Sequence, residues 1–427
     1  MNVFSLSFLV FLVIGVPITM VLALASLGYI LVTGQMHLLV AFPQRIIAGV
    51  DQFVLLTVPL FILAGNLMNA GAITDRIISF CEIIVGRLRG GLALVNVLAS
   101  TLFAGVSGSA AADSAALGTV LIPGMHRAGY SLTFSAAITA VSSVIGPIIP
   151  PSIAMIVYAV LSGNSVAALF LASIVPGILM ALGLMAYALV IAHRRGYPRA
   201  DPVTLREGVR ATGGALPVLM LPLIILGGIL GGVFTPTEAA AVASAYALVI
   251  AAFVYRTLTW QNFTRAMYDS ALTTSAVLLV VAMASIVSFV FSIGRIPDQV
   301  LGWILSITDN PTLILLAVTM ALLVLGAFLE PIGALILTVP ILMPLGAELG
   351  LDPIHFGVVI VLNLVIGLST PPVGLCLFIV CAISKEPLGR VSAAALPQLA
   401  VCILVLLLIT FVPDLVTFLP RLAGYGG

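Results

Sequence analysis

The chain has 427 residues, of which 62% are hydrophobic and only 7% are charged. Soluble globular proteins carry charge on about 25% of their residues, so this composition excludes an ordinary soluble fold. A net charge of +1 excludes the basic surface of a nucleic-acid-binding protein. Residues 128–192 and 356–384 contain no charged side chain, although about 20 apolar residues suffice to span a bilayer. The chain is therefore predicted to be an all-α polytopic membrane protein.

Hydrophobic runs bounded by glycine, proline and charged residues predict ten membrane crossings. In chain order they are residues 3–14, 17–33, 53–70, 131–160, 165–192, 214–233, 237–255, 268–292, 355–384 and 396–418. Apolar residues also recur at helical spacing over residues 73–88 and 296–307, with polar residues between them. This pattern is typical of helices that lie along the membrane surface.

Two more apolar segments, residues 91–125 and 311–349, have the same kind of charge at both ends. The residues that flank the first are basic: Arg87, Arg89, His126 and Arg127. The second is flanked by the acidic residues Asp309, Glu348 and Asp352, without any Lys or Arg. By the positive-inside rule both ends of each segment lie on one side of the membrane, so each segment turns back inside it. We predict two re-entrant helical hairpins, the first opening to the cytoplasm and the second to the outside.

The chain repeats itself at an offset of 221 residues, because the motif V-I-G-x-x-x-P-P occurs at residues 144–151 and 365–372. The predicted units are residues 1–212, with hairpin 91–125 and broken helix 131–160, and residues 213–427, with hairpin 311–349 and broken helix 355–384. Each unit has an odd number of crossings, so the second enters the membrane from the opposite face. Inverted repeats of this kind are an architecture of secondary transporters, which bind their cargo near the midplane.

The repeated motif breaks one helix in each unit. Proline has no amide hydrogen and cannot continue a helix, so carbonyl groups before Pro150 and Pro371 lack their usual donors. A small hard cation such as Na+ suits carbonyl oxygens, and Gly146 and Gly367 let the backbone approach it. Hydroxyl groups near the two breaks are available from Ser107, Ser109, Ser369 and Thr370. The alternative is a pair of proline kinks satisfied by neighbouring helices and water.

Asp113 and Glu330 are the acidic residues predicted to lie deep in membrane-embedded segments, each beside a hairpin turn. Ionisable residues at this depth are candidates for a functional role. Each also stands where the second helix of its hairpin begins, and a carboxylate there can accept hydrogen bonds from free amide groups. The sequence leaves two roles open for both residues, namely direct contact with an ion and capping of the hairpin helix.

Four segments in combination resemble one known family. They are SGSAAADSAALGTVLIPGMHRAGY at 107–130, VIGPIIPPSI at 144–153, GGVFTPTEAAAVA at 231–243 and LNLVIGLSTPPVGL at 362–375. With them, the chain resembles the large membrane subunit of tripartite ATP-independent periplasmic (TRAP) transporters almost from end to end. The resemblance implies an elevator-type transporter of the bacterial inner membrane, which takes up carboxylates such as dicarboxylates or sialic acid with Na+ as the coupling ion.

The resemblance also implies partners and site residues. The partners are a soluble periplasmic substrate-binding protein and a small four-helix membrane subunit, which we expect to be a separate chain. The family's sodium positions fall on or around Ser107, Gly146, Gly333, Gly367 and Thr370. Candidates for substrate contact or for the hairpin tips are Ser109, Asp113, Pro150, Glu330 and Ser369. The lipid bilayer is a further partner, and no nucleic acid is expected.

Three alternative functions remain open from the sequence. An ion-coupled anion carrier without a binding protein would share the predicted architecture, and a channel would share its apolar spans. An intramembrane serine protease is suggested by the sequence G-x-S-G at residues 105–108. A nucleophilic serine needs a base within about 3.2 Å. The four histidines stand in loops or at span ends: His37, His126, His193 and His355. We therefore expect a transporter and not an enzyme.

Overall fold

A computed structural model describes residues 2–71, 73–199 and 204–425, and the regular structure in these ranges is helical. The first half contains α1 (Asn2–Val13), α2 (Ile18–Val32), α3 (Ala41–Val50), α4 (Thr57–Ala70), α5 (Ile73–Val85), α6 (Gly91–Ser107), α7 (Ala110–Arg127), α8 (Leu132–Ser142), α9 (Ile153–Ser162) and α10 (Val166–Arg195). The second half contains α11 (Leu205–Leu230), α12 (Pro236–Val249), α13 (Trp260–Ile293), α14 (Ile296–Ile307), α15 (Pro311–Phe328), α16 (Pro331–Glu348), α17 (Pro353–Gly367), α18 (Leu375–Ser384), α19 (Leu388–Phe411) and α20 (Asp414–Leu422). Short 3-10 or π turns lie at Met36–Val40, Phe53–Leu56, Ser143–Ile145 and Ile250–Val254.

The order of helices in the first half returns in the second. Helix α5 corresponds to α14, the pair α6 and α7 to α15 and α16, the pair α8 and α9 to α17 and α18, and α10 to α19. The pairs α6–α7 and α15–α16 are the two predicted hairpins, and the pairs α8–α9 and α17–α18 are the two predicted broken helices. The predicted fold class, an all-α membrane protein with two hairpins and two broken helices, is therefore confirmed. The boundary between the units, expected at residues 212 and 213, stays a prediction and falls inside α11.

Each hairpin turns at residues that end one helix and cap the next. In the first hairpin α6 ends at Ser107, and Gly108 adopts a left-handed conformation with a φ of 60°, which glycine tolerates without steric cost. The Ser109 hydroxyl then accepts a hydrogen bond from the backbone three residues later, at 3.4 Å, and caps α7. In the second hairpin Glu330 caps α16, and Pro331 takes the first helical position, where no amide hydrogen is needed.

The broken helices are interrupted at the paired prolines, whose Pro-Pro bonds are both cis. The first break ends at Ser152, whose hydroxyl caps α9 by accepting from Met155 N at 3.2 Å. The second break follows Gly367 and ends at Gly374, where φ is 50°. The half-helices on either side of each break therefore have free ends inside the fold, and their terminal amide and carbonyl groups need partners.

Small residues allow the hairpins and the broken helices to pack closely. Helix α15 crosses α17 at Gly326 and Gly367, where a Cβ atom built on Gly367 would lie 2.2 Å from the Gly326 backbone. The two broken helices also meet, because the Ser369 hydroxyl donates to the Ala140 carbonyl at 2.7 Å. These contacts join parts of both halves into one body.

Helices α2, α3, α4, α12 and α13, here called the flanking group, pack beside the hairpins and the broken helices. Helix α13 has 34 residues and contacts α2, α3 and α4 as well as the hairpin helix α16. Helix α4 packs on α12, where the Thr57 and Thr237 hydroxyl oxygens are 3.0 Å apart. The flanking group thus links the first half of the chain to the second.

Some elements differ from the sequence-based prediction. Eight helices in the described ranges are long and apolar enough to cross a membrane, and two of them are α15 and α16, the arms of the second hairpin. The predicted crossing 396–418 is interrupted: α19 ends at Phe411, and α20 is a separate helix in which Arg421 pairs with Asp414 at 2.8 Å. Helix α3 was not predicted, because its 10 residues are too few for a crossing and include Arg45.

Candidate functional site

A cavity of about 240 Å³ lies where the hairpin turns, the breaks and the flanking group meet. We call it the central cavity. Its lining includes residues 107–112 and 330–332 of the hairpin turns, Pro147 and Leu368 of the breaks, and Asn66, Asn69, Thr273 and Val277 of the flanking group. The central cavity therefore touches both halves of the repeat, as expected of a cargo site at a pseudo-symmetry axis.

Four helices begin at the central cavity. Their first residues line it: Ala110 of α7, Ile153 of α9, Pro331 of α16 and Leu375 of α18. A helix N-terminus carries partial positive charge and amide groups that the helix itself cannot satisfy. Side chains cap α7, α9 and α16, whereas α18 has no side-chain cap. Four converging N-termini favour a negatively charged occupant.

Asp113 lies in the first turn of α7 and is fully buried. Its Oδ1 accepts a hydrogen bond from the Ser107 hydroxyl, and Ser107 Oγ accepts one from Ser109 N at 3.2 Å. Its Oδ2 is buried and has no hydrogen-bond partner in the described part of the chain. A Cβ atom built on Gly146 would lie 2.2 Å from this Oδ2. The structure thus brings Ser107, Asp113 and Gly146 together and leaves one buried carboxylate oxygen without a hydrogen-bond partner among the described residues, while Ser109 caps the helix.

The two Pro-Pro pairs remove four helical amide donors at the breaks, and three of the four carbonyl groups accept hydrogen bonds from other donors. These pairs are Pro147 O with the Ser152 hydroxyl, Gly367 O with Thr370 N at 2.9 Å, and Leu368 O with Cys376 N at 2.9 Å. The fourth is the Gly146 carbonyl, whose helical donor would be the missing amide of Pro150. Within the described ranges no donor to it is found. The prediction of unpaired carbonyls therefore holds at Gly146 and is wrong for Gly367.

Oxygen atoms lie behind the wall of the central cavity at the first break, where Ser107 belongs to the lining and Asp113 and Gly146 do not. Within the described ranges no three histidine, cysteine, aspartate or glutamate side chains gather into a cluster of the kind that holds a transition metal. The available ligands are instead a hydroxyl, a backbone carbonyl and a single carboxylate, from Ser107, Gly146 and Asp113. Such ligands suit hard cations such as Na+, so these three residues fit the predicted ion.

Glu330 acts as the N-cap of α16. Its Oε2 accepts hydrogen bonds from Ile332 N at 3.0 Å and Gly333 N at 3.3 Å. The residue is exposed at the cavity wall, and capping is the observed role of the two that the sequence left open. Gly333 itself faces α2, because a Cβ atom built on it would lie 3.0 Å from Ile18 Cγ1.

The remaining predicted site residues have structural partners of their own. Thr370 Oγ1 donates to Ile366 O at 2.9 Å, and neither Thr370 nor Gly367 lines the central cavity. Ser369 bonds across to α8, as described above. Pro150 is buried, and Pro147 stands in the cavity wall instead. The described contacts join Gly146 to the first hairpin, but they do not join Gly333 to the second break.

Sequence reasoning missed the polar residues of the flanking group. Asn66 and Asn69 of α4 and Thr273 of α13 line the central cavity. The Asn66 amide donates to the Ser270 hydroxyl at 2.9 Å. Two asparagines three residues apart in an apolar span were the available signal, because amide groups exposed to lipid are costly.

Two hairpins and two broken helices that meet at one cavity, inside a bundle of apolar helices, define a secondary transporter built on repeated halves. The chain belongs to the family of the DctM component of tripartite ATP-independent periplasmic transporters, whose family model matches residues 5–415. It is thus a large permease subunit, and a multi-pass protein of the bacterial inner membrane. Membership of this family excludes the protease alternative, and in the structure the Ser107 hydroxyl donates to Asp113.

Relatives are similar over most of the chain. The uncharacterized protein YgiK of Salmonella typhimurium is 43% identical over 418 residues, which are 97% of this chain and 96% of YgiK. The sialic acid TRAP transporter large permease protein SiaM of Vibrio cholerae is 40% identical over 413 residues, 96% of either chain. The C4-dicarboxylate TRAP transporter large permease protein DctM of Pseudomonas aeruginosa is 41% identical over 374 residues, 88% of either chain.

Two solved structures share the fold at low sequence identity. The YdaH transporter of Alcanivorax borkumensis has a TM-score of 0.61 at 15% identity, covering 89% of this chain and 88% of YdaH. MtrF of Neisseria gonorrhoeae, from a class of antimetabolite efflux pumps, has a TM-score of 0.63 at 13% identity, covering 88% of this chain and 84% of MtrF. At these identities the likeness concerns the fold alone, and both neighbours are membrane transporters.

Proposed function

We propose that this permease imports a small carboxylate with Na+ as the coupling ion. The substrate arrives on a periplasmic binding protein, and a small four-helix membrane subunit completes the complex. The proposal depends most on one observation, the convergence of four helix N-termini on a cavity that adjoins an unpaired carboxylate oxygen. The N-termini attract an anion and the carboxylate attracts a cation, so the two ions bind at neighbouring positions that Ser107 separates.

The first break is the cation position that the geometry favours. Ser107 Oγ, Asp113 Oδ2 and the Gly146 carbonyl are the oxygen ligands there. A buried carboxylate without a counter-charge is unfavourable, and a bound Na+ relieves this cost. Because Ser107 and Asp113 belong to the hairpin and Gly146 to the broken helix, the ion ties the hairpin turn to the break.

A second Na+ position is proposed at the second break, around Gly367 and Thr370 and close to the hairpin that carries Gly333. The Gly367 carbonyl and the Thr370 hydroxyl each make one hydrogen bond and keep lone pairs for a cation. This position has less structural support than the first, since neither residue has an unpaired buried oxygen. It is tested below with substitutions of Thr370.

A small carboxylate matches the chemistry and size of the central cavity. Its volume of about 240 Å³ is below the range of roughly 300–1,000 Å³ found for drug-sized ligands, so its occupant is small. Amide groups at the starts of α7, α16 and α18 can donate to a carboxylate, and Asn66 and Asn69 add side-chain amides. The relatives SiaM and DctM are named for sialic acid and C4-dicarboxylates, which are carboxylates.

Transport requires the central cavity to face each side of the membrane in turn. The contacts between Gly326 and Gly367 and between Ser369 and Ala140 hold the second hairpin and both broken helices together. The central cavity separates this body from α4 and α13 of the flanking group. An elevator motion, in which this body moves past the flanking group, therefore carries the breaks and the second hairpin turn as one unit, while the contacts of the cavity with α4 and α13 change.

Uptake by proteoliposomes tests the proposed function. The complete system contains this chain, the small subunit and a candidate binding protein loaded with succinate or sialic acid, and an inward Na+ gradient is applied. We expect accumulation that disappears when either partner is omitted or when K+ replaces Na+. Gradient-driven uptake by this chain alone would favour the alternative of a carrier without a binding protein, and single-channel currents would favour a channel.

A further inference from the structure

A second polar cavity, of about 390 Å³, is separate from the central cavity and plays no part in the proposed function so far. It lies between α3, the outer part of α13 and the end of α9. Its polar lining consists of Arg45, Gln52, Ser285, Ser288 and Ser292. We call it the outer cavity, because of the predicted topology. Ten crossings and two hairpins, oriented by the positive-inside rule, place 13 basic residues inside and only Arg45, Arg295 and Arg421 outside.

Arg45 brings a positive charge to the outer cavity. Its guanidinium carbon lies 4.8 Å from the centre of the Phe289 ring, and the residue is exposed. In the described part of the chain no carboxylate forms an ion pair with it, whereas Arg421, another basic residue predicted outside, pairs with Asp414 at 2.8 Å. Stacking on a ring leaves the in-plane N–H groups of a guanidinium free to bind a carboxylate.

One face of α13 runs from the outer cavity to the central cavity. Val281, Ser285, Ser288 and Ser292 line the outer cavity, and Thr273 and Val277 of the same helix line the central cavity. Successive members are three or four residues apart, which places them on one side of the helix. Val277 and Val281 are both buried and lie one turn apart, about 6 Å along the helix axis. A path lined by hydroxyl groups thus ends at an apolar closure directly beside the central cavity.

We propose that the outer cavity captures the substrate anion before it enters the central cavity, with Arg45 as its charged anchor. Serine hydroxyl groups from α13 donate further hydrogen bonds to the bound carboxylate. The central cavity attracts an anion through helix ends, whereas the outer cavity uses an exposed arginine side chain, from which solvent can displace the anion. The choice of a carboxylate rests on the proposed function, but the selection of negative charge does not.

Thiol labelling tests the charge selection without any transported substrate. The variant Ser288→Cys is made with Cys381→Ser, since Cys381 is half-buried and the other three cysteines are buried. The rates of reaction with the anionic reagent MTSES and the cationic reagent MTSET are compared in the full complex. We expect a several-fold preference for MTSES, relative to a free thiol, which Arg45→Gln abolishes and Arg45→Lys retains.

The matched control is Arg421→Gln, which removes one positive charge from the same predicted side without touching the outer cavity, and it should leave the preference unchanged. Succinate or sialic acid at millimolar concentration should slow MTSES labelling in the parent and not in Arg45→Gln. Equal MTSES to MTSET ratios with and without Arg45 would overturn the capture site. So would full protection by the carboxylate in Arg45→Gln.

Uptake separates this inference from the proposed function. In Arg45→Gln we expect the half-saturating substrate concentration to rise several-fold while the maximal rate stays close to that of the parent. A parent complex that accumulates no carboxylate would refute the proposed function, and the labelling ratio would still decide the selection of charge. A parent that transports normally, with an unchanged half-saturation in Arg45→Gln, would refute the capture site alone.

Discussion

At the scale of single residues, Asp113 and Glu330 show how surroundings decide the role of a carboxylate. Glu330 lies in the wall of the central cavity, and its Oε2 accepts hydrogen bonds from two backbone amides of its own helix. Asp113 is fully buried, accepts one hydrogen bond from Ser107 and keeps Oδ2 unpaired. A bare oxygen in the interior needs a positive partner, whereas a capping oxygen already has its partners.

The variant Asp113→Asn should weaken the dependence on Na+. It keeps the shape of the side chain but removes the charge that would face the ion. We expect the Na+ concentration for half-maximal uptake to rise by about tenfold or more, equivalent to at least about 1.4 kcal/mol. The control Glu330→Gln keeps an acceptor oxygen for the cap and should remain close to the parent. Parent-like Na+ dependence in Asp113→Asn would remove this residue from the ion site.

Substitutions of Thr370 test the second proposed ion position. Thr370→Ala deletes a hydroxyl that donates to Ile366 O at 2.9 Å, a helical side-chain bond whose loss should not prevent folding. If the hydroxyl also binds Na+, half-saturation by Na+ rises in Thr370→Ala and is largely preserved in Thr370→Ser. Substrate affinity at fixed Na+ should fall in parallel, since couplings between linked sites are reciprocal and typically about 1–3 kcal/mol. An equal rise in the half-saturating Na+ concentration in both variants would indicate that the methyl group of Thr370 matters through packing.

At the scale of helices and hairpins, the sequence predicts those elements that are determined by residues within or directly beside the segment itself. Flanking charges predict the hairpins, and the paired prolines predict the breaks, because both signals lie within or beside the segment. The partners of the Gly367 and Leu368 carbonyls could not be predicted, since Thr370 N and Cys376 N reach them only through the conformation of the break. The place of Gly333 against α2 and the cavity-facing side of α4 likewise depend on packing between distant segments.

Gly367 should be essential for the crossing of α15 and α17. A Cβ atom there would lie 2.2 Å from the backbone of Gly326, so the helices must separate to admit it. We expect Gly367→Ala to lower the midpoint of thermal unfolding in detergent, with an overpacking cost of about 1–3 kcal/mol. Gly124→Ala is the control, because no atom lies within 4 Å of a Cβ atom at that position. Equal midpoints for the two variants would show that α15 and α17 accommodate the added Cβ atom without a loss of stability.

The turn of the first hairpin can be tested by accessibility. Cysteines introduced at Arg89 and Arg127, one at each end of the hairpin, should both react with a membrane-impermeant reagent from the cytoplasmic side. A cysteine at Asn164, between α9 and α10, is the control and should react from the outside. Reaction of positions 89 and 127 from opposite sides would make the segment a crossing, and the inverted order of the two halves would then be wrong.

At the scale of the whole molecule, the flanking group and the body of hairpins and broken helices meet across the central cavity. The site residues are accordingly divided between them, with Asn66 and Thr273 on one side and the hairpin turns on the other. A cargo held between two bodies must lose contacts with one of them when they slide. We therefore expect Asn66→Ala to alter substrate affinity in only one of the two access states, measured by binding to right-side-out and inside-out vesicles. Equal loss in both orientations would place Asn66 within the moving body.

The two halves of the chain differ in structure at one pair of corresponding segments. The first half has two helices there, α3 and α4, and the second half has the single helix α13. Between α2 and α5 the chain bends at a 3-10 turn, Phe53–Leu56, whereas between α12 and α14 it runs as 34 continuous helical residues. When a repeat protein reverses by exchanging the conformations of its halves, its two orientations are equivalent by two-fold rotation only if the halves are alike. We therefore expect the two orientations to differ in energy, and about 1.4 kcal/mol already gives a population ratio of ten to one. The empty carrier is then expected to have a preferred resting orientation, set by its own asymmetry before any gradient is applied.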